Sequence, residues 1–144
     1  MRRGLHVASD LIEAMLQAAR AAAPDECCGL VVGTRDPAPR ALRLVPARNT
    51  HPEPRRFFEI DPKAQFDTLR RLREQSGGGE VLLGHYHSHP AGPARPSPRD
   101  VAAANDADLA WLVIDPLAGE VAAFLPRTDG DGKITEFQAI PLLD

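Results

Sequence analysis

Cysteine is nearly absent from this chain: Cys27 and Cys28 are adjacent and are the only two. Neighbours are poorly placed to bridge one another, so a disulfide scaffold is excluded and a reducing cytoplasm is the expected compartment. An excess of basic charge is also missing. Seventeen basic against twenty acidic residues give a net charge of −3 and a pI near 5.9. That excludes a nucleic-acid binder dominated by phosphate contacts. Long apolar runs are lacking too; none approaches the ~20 residues a bilayer crossing needs, so no membrane partner is expected. The start, Met1-Arg2-Arg3-Gly4, carries the charges of a signal peptide, but Asp10 and Glu13 interrupt the apolar core that should follow. Lysine is scarce as well, two against fifteen arginines. That pattern reads as base-composition bias without functional content.

What remains is ordinary for a folded domain. The 144 residues are 26% charged and 43% hydrophobic, which argues against disorder. There is no repeat, linker or low-complexity segment, so residues 1–144 are expected to form a single domain.

Leu5 to Val7 reads as a short strand. Ser9 is the expected cap of a first helix, whose apolar stripe is Leu11, Met15, Ala18 and Ala22 and which stops before Pro24. Cys28 to Val32 is a compact apolar strand, and Ala41 to Ala47 resumes in extended form after a proline-bearing loop. Asn49 to Arg56 should be an exposed loop and Phe57 to Ile60 a short strand. Asp61 caps a second helix with Pro62 in its first position, and Phe66, Leu69 and Leu72 are its expected buried face. Val81 to His87 is a strand, Ser97 to about Ala107 a third helix, and 109–114, 121–125 and 134–140 three closing strands. Strands and helices interleave without a strict repeat. The expected fold class is α/β (α+β), a mixed sheet with helices on it.

Three of the five histidines fall within five residues, at 85, 87 and 89. On extended backbone, positions two apart point to one side, so His87 and His89 can converge on one ion. Asp100 lies eleven residues further, in the first turn of the third helix. Two histidines and a carboxylate are a zinc set with a fourth position open for water, the catalytic pattern. Such a site also needs a general base and a group that stabilises an oxyanion. Ser97, one turn before Asp100, could donate a hydrogen bond there, and Glu26 is an acid at the mouth of a buried strand. Each piece also has a plainer reading. Ser97-Pro98-Arg99-Asp100 fits a helix cap with a returning carboxylate. Glu26 fits a strand-entry carboxylate, the cysteine pair fits small core hydrophobes, and Arg55 and Arg56 fit a solvated loop.

As a set, Glu26, His87-Ser88-His89, seven residues, Ser97, two residues and Asp100 resemble the JAMM (MPN+) metalloprotease family. Glu26-Cys27-Cys28-Gly29-Leu30 resembles the family's E-x-C-G segment, and Gly84-His85-Tyr86-His87-Ser88-His89-Pro90 its metal strand. The resemblance covers about the first 115 residues, including Asn49 and Phe58-Glu59-Ile60-Asp61-Pro62. It implies a curved mixed sheet flanked by helices, related to the zinc deaminases (a cytidine-deaminase-like architecture). It implies that His87, His89 and Asp100 hold one Zn2+ with a water. Glu26 would then act as base and acid, and Ser97 would stabilise the tetrahedral intermediate. His85 matches no family ligand; it is expected behind the ligands or under the sheet.

The reaction implied is zinc-dependent hydrolysis of an amide or isopeptide bond. The chain is similar to compact stand-alone prokaryotic members, which implies a ubiquitin-like or sulfur-carrier protein as partner. Cleavage would follow its Gly-Gly tail, or release cysteine from the carrier's C-terminus. The loops Asn49–Arg56 and Pro90–Pro96 are expected to flank the zinc, with Arg55, Arg56 and Arg95 meeting acidic groups on the carrier. Rival readings fit less well. A metallo-β-lactamase needs further ligands where Pro90 stands, and a longer chain. A zinc deaminase needs a P-C-x-x-C that is missing. A non-enzymatic MPN-type scaffold would have lost ligands that are all present here. A zinc hydrolase of small non-peptide amides is the remaining alternative.

Overall fold

The structure, a computed structural model, describes residues 4–75 and 77–144; the charged start at Met1, Arg2 and Arg3 lies outside them. Its elements run β1 (Leu5–His6), α1 (Ser9–Ala22), β2 (Cys28–Thr34), β3 (Arg40–Ala47), α2 (Pro62–Glu74), β4 (Val81–Ser88), α3 (Pro98–Ala103), β5 (Ala110–Asp115), β6 (Glu120–Thr128), β7 (Ile134–Ile140) and β8 (Leu142–Leu143). These strands form one sheet in the order β7-β6-β5-β4-β2-β3-β1-β8. β4 runs parallel to β5, and β1 parallel to β3 and β8; the other neighbours are antiparallel. The sheet is mixed and carries helices, as expected.

The middle of the sheet is apolar along its length because both faces are covered. In β2 every residue before Thr34 is buried, and in β5 every residue before Asp115. Such runs do not alternate. At Gly84 the two strands meet closely: a Cβ there would stand 2.1 Å from the Ala110 carbonyl oxygen, so glycine lets β5 close onto β4. On one face α1 lays Met15, Leu16 and Ala19 into a cluster with Val31, Tyr86, Leu112 and Ile114. The other face carries His85, His87 and Trp111 beside Phe58. A register shift at Val31/Val32, opposite Gly84 and Leu82, sends Leu83 to the α1 side and Leu82 to the other.

Several local expectations are corrected. Ser9 does not cap α1; Ala8 holds that position without a side-chain bond, and the Asp10 carboxylate accepts the Leu11 N–H (3.0 Å) instead. The inward stripe of α1 is Met15, Leu16 and Ala19, with Ala18 and Ala22 half-buried at its margin. Phe57–Ile60 is not a strand: its link is the isolated bridge Asn49–Ile60. On α2, Phe66 (58% exposed) and Leu69 (44%) face outward, and Ala64, Thr68 and Leu72 turn inward. Both stripes have helical spacing and share Leu72, so periodicity alone could not choose between them. α3 stops at Ala103, because Ala104 adopts extended backbone and Asp106 accepts the Asp108 N–H in a turn. β1 ends one residue early and β6 runs to Thr128.

Candidate active site

β4 is a central strand, and its C-terminal end delivers His87 to a fully buried position and His89 just beyond. The two imidazole Nε2 atoms are 3.1 Å apart. Asp100 Oδ2 lies 3.4 Å from each of them. The carboxylate is aimed there by a capping box at the start of α3. Ser97 Oγ accepts the Asp100 N–H (3.1 Å), and Asp100 Oδ2 accepts the Ser97 N–H (2.9 Å). The plain reading of Ser97-Pro98-Arg99-Asp100, a helix cap with a returning carboxylate, is what the structure shows, and the same bonds turn Asp100 towards the two imidazoles.

Glu26, 7% exposed, precedes β2 and completes the cluster: one of its oxygens and the two imidazole nitrogens lie within 4.8 Å of one another. Its place follows from how β2 joins β4. The Cys27 N–H donates to Ser88 Oγ (2.8 Å), and the Ser88 N–H donates to the Cys27 carbonyl (3.0 Å). This reciprocal pair clamps the residue after Glu26 to the residue after His87. On its other side, the Asn49 amide donates to the carbonyls of Glu26 (3.0 Å) and Phe57 (2.9 Å). Its oxygen accepts the N–H groups of His51 (3.0 Å) and Glu59 (3.1 Å). One buried-edge amide thus organises the whole 49–59 loop around the acid.

The electrostatics follow from burial. Burial pushes the Glu26 carboxyl up to about 7, with His89 pulling it down and Asp100 pushing it further up. Burial opposes ionisation of Asp100 too, but hydrogen bonds from both histidines and the Ser97 N–H outweigh it and hold the acid far below the usual range. The histidines split. His87, fully buried, is held below its ordinary value by desolvation, whereas at His89 the opposing effects of Asp100 and the Pro93 carbonyl prevail and raise it. His85 is depressed to about 3 by burial and by His87.

Three atoms that offer lone pairs therefore face one another at 3.1–3.4 Å, an arrangement that requires a cation or shared protons between them. The spacing fits a metal: a tetrahedron with arms of ~2.05 Å has edges of about 3.3 Å. The Pro93 carbonyl, 3.0 Å from His89 Nδ1, favours a proton on that nitrogen and leaves Nε2 free to ligate. Phe58 stacks on the His87 ring at 4.1 Å, and Trp111 meets it edge-on at 5.7 Å, walling the site with apolar surface.

These groups open into a cleft of about 600 Å³. His51 and Arg56 line it from the first expected loop, but Pro90–Pro96 supplies no lining residue and supports His89 from behind instead. His85 lies in the cleft wall against Trp111 (4.4 Å), not at the cluster of ligand atoms. Arg55 faces Asp25 at 4.0 Å, outside the cleft. Cys27 and Cys28 are free, and burial pushes the Cys28 thiol up to about 12, in keeping with a packing role. Asn49, Ser88, Phe58, Trp111 and Arg99 all shape the site. The first three lie within segments matched to the family, but their partners do not follow from spacing.

Residues 8–126 match the family model for prokaryotic homologs of the JAB domain. The CysO-cysteine peptidase of Mycobacterium tuberculosis is 32% identical over 135 residues, 92% of this chain and 87% of that protein. A probable TtuB-protein conjugate cleaving protease of Thermus thermophilus is 43% identical over 79 residues, 55% of this chain, which spans 49% of that relative's length. The desampylase of Haloferax volcanii is 32% identical over 116 residues, 78% of this chain and 81% of that one. Among solved structures, a protein from Desulfitobacterium hafniense superposes with a TM-score of 0.78 at 35% identity, covering 96% of this chain and 91% of its own. A JAB1/MPN domain protein from Archaeoglobus fulgidus shares the fold, with a TM-score of 0.56 at 17% identity over 97% and 98% of the chains.

Proposed function

The chain belongs to the prokaryotic homologs of the JAB domain, and from that membership we propose that it is a zinc-dependent peptidase or isopeptidase acting on carrier-protein conjugates. The observation that carries this reading is the triangle of His87 Nε2, His89 Nε2 and Asp100 Oδ2 with the Glu26 carboxylate beside it. His87, His89 and Asp100 would hold Zn2+. When bound, zinc supplies Lewis acidity and lowers the pKa of a water in its open position. Glu26 takes the proton of the attacking water and delivers it to the leaving nitrogen, a role its raised pKa suits. Phe58 and Trp111 keep bulk water from the histidines, and the Cys27–Ser88 clamp keeps Glu26 in place.

Ser97 is given the oxyanion role. Its oxygen accepts from the Asp100 N–H, which leaves the hydroxyl hydrogen to donate. Ser97→Ala should therefore show two effects. Stability should fall by about 1 kcal/mol in thermal denaturation through the lost cap. Turnover should fall about 10²–10³-fold. A stability loss with unchanged turnover leaves Ser97 as a cap alone.

The proposed substrate is a ubiquitin-like or sulfur-carrier protein with an extended Gly-Gly end, in keeping with what the relatives are named for. β4 is paired on both sides, by β2 and β5, so such a tail has no strand edge to join there. The 57–60 segment borders the cleft and carries only the isolated bridge Asn49–Ile60, which makes it the proposed platform. Free cysteines suit the reducing cytoplasm proposed as its compartment. Carrier fusions ending Gly-Gly, Gly-Ala or Ala-Ala before the scissile bond test the substrate by mass spectrometry. Cleavage of Gly-Gly alone or foremost is expected, and equal cleavage of all three would leave a general peptidase.

A further inference from the structure

We propose that His85 and Trp111 are substrate-positioning residues: their ring N–H groups bind the backbone carbonyl of the residue that precedes the carrier tail's Gly-Gly. The inference rests on the hydrolase reading above. Of the five histidines, His6, His51, His87 and His89 each have a hydrogen-bonding contact through a ring nitrogen, and His85 has none. Its Nδ1 is buried without a partner. His87 Nδ1 shares that condition, but the other nitrogen of that ring is engaged at the ligand cluster. The His85 ring lines the cleft, so Nε2 is the nitrogen left to face it. A buried N–H with no acceptor is the costlier orphan, which puts the proton on Nε2.

Trp111 stands directly beside this ring. The parallel pairing of β4 with β5 sets His85 opposite Trp111, and the two rings meet edge to face at 4.4 Å. Trp111 is 4% exposed and lines the same cleft, yet its indole N–H has no acceptor among the described residues. Buried indoles usually find a partner. Two ring donors are thus side by side in one wall, and a carbonyl oxygen has a lone pair for each. Phe58 and Phe137 pack on the pair, at 6.0 Å from His85 and 4.9 Å from Trp111, and hold the rings in place.

Strand register fixes which carbonyl they meet. Across β2 and β4, Cys28 pairs with His87 and Leu30 with His85. Glu26, two residues before Cys28, therefore lies to one side of the His87 level and His85 to the other. Glu26 hands its proton to the leaving nitrogen, so the leaving group belongs on its side and the carrier tail on that of His85. His85 precedes His87 by two residues, about 6.6 Å of strand. In an extended tail, carbonyls two residues apart point the same way at that same spacing. With the scissile carbonyl at the His87, His89 and Asp100 cluster, the carbonyl before Gly-Gly falls at His85 and Trp111.

The test uses two synthetic tails ending Ala-Gly-Gly joined to a fluorogenic amine. One is all-amide; the other has an ester in place of the amide after alanine, which makes that carbonyl a weaker acceptor. Zinc-loaded wild type should favour the amide tail about fivefold in kcat/KM. His85→Phe and Trp111→Phe should each bring that ratio towards one, and His85→Gln, which restores an N–H, should keep most of it. Equal cleavage of both tails by wild type would overturn the proposal. So would an unchanged ratio in the phenylalanine variants with both tails cleaved more slowly, which would make the rings structural. Melting curves identify a variant that fails to fold, and the other donor variant then decides. Binding gives a readout without turnover. Trp111 is the chain's only tryptophan, so its emission follows the binding of the same tails, as plain carboxamides, to Glu26→Gln protein. Tighter binding of the all-amide tail supports the subsite; equal affinity, or no binding of either, overturns it. If wild type cleaves neither tail, the hydrolase reading fails separately and the binding comparison decides the subsite.

Discussion

Glu26→Gln is expected to lower turnover of a carrier fusion about 10²–10⁴-fold while leaving bound zinc at the wild-type level. Glutamine keeps the shape and a hydrogen-bonding oxygen but cannot take a proton. The fold tolerates it, because the interactions that place this residue run through backbone: its carbonyl accepts from Asn49, and its N–H donates to the Pro54 carbonyl at 2.7 Å. Metal analysis alongside single-turnover cleavage separates the two properties, and retained turnover would make Glu26 structural. The pH profile gives an independent check. Burial pushes this acid up to about 7 without a cation, and a bound cation favours the ionised form and lowers it. The base works ionised, so kcat/KM should fall as pH drops, with a midpoint at or below about 7. That limb should vanish in Glu26→Gln.

The second large effect is loss of the metal. His87→Ala should purify without stoichiometric zinc and without measurable cleavage, and equal zinc in wild type and variant would sink the ligand assignment. His87 is also fully buried and stacked on Phe58, so its removal leaves a cavity that costs about 3–5 kcal/mol if it behaves like other large buried rings. His89→Ala provides the cleaner comparison. That ring retains 15% side-chain exposure, and its loss should abolish metal binding with less damage to the core. A ligand that binds only the folded state adds about 4 kcal/mol at a thousandfold excess over its Kd. Chelation should accordingly lower the melting temperature of wild type and leave His89→Ala unmoved.

Legibility in the sequence tracked how local each interaction is. The i, i+2 histidines and the Ser97–Asp100 cap are short-range patterns, so their spacing already implied that the side chains would face together, and they do. The clamp between Cys27 and Ser88 spans 61 residues, and the Asn49 amide reaches three separated backbone segments. No periodicity announces contacts of that kind. The outward turn of Phe66 and Leu69 was hidden for another reason. A helix with two plausible stripes takes the one its neighbours can pack, and that choice belongs to the sheet. Arg99 was masked by its motif, since the cap pattern uses the residues on either side of it.

Asp100 Oδ2 has a double engagement whose consequence is thermodynamic coupling. The same oxygen accepts the amide at the start of α3 and faces both imidazoles. α3 is only 6 residues long, too short to persist on its own propensity. Any cation gathered by that oxygen also ties the first turn of the helix to the end of a central strand. The free energy of occupancy is thereby shared between ligation and local folding, and by reciprocity whatever frays the helix loosens the ion. The arm that carries Ser97, Arg99 and Asp100 is therefore the adjustable half of the cleft, set against a half built on paired strands.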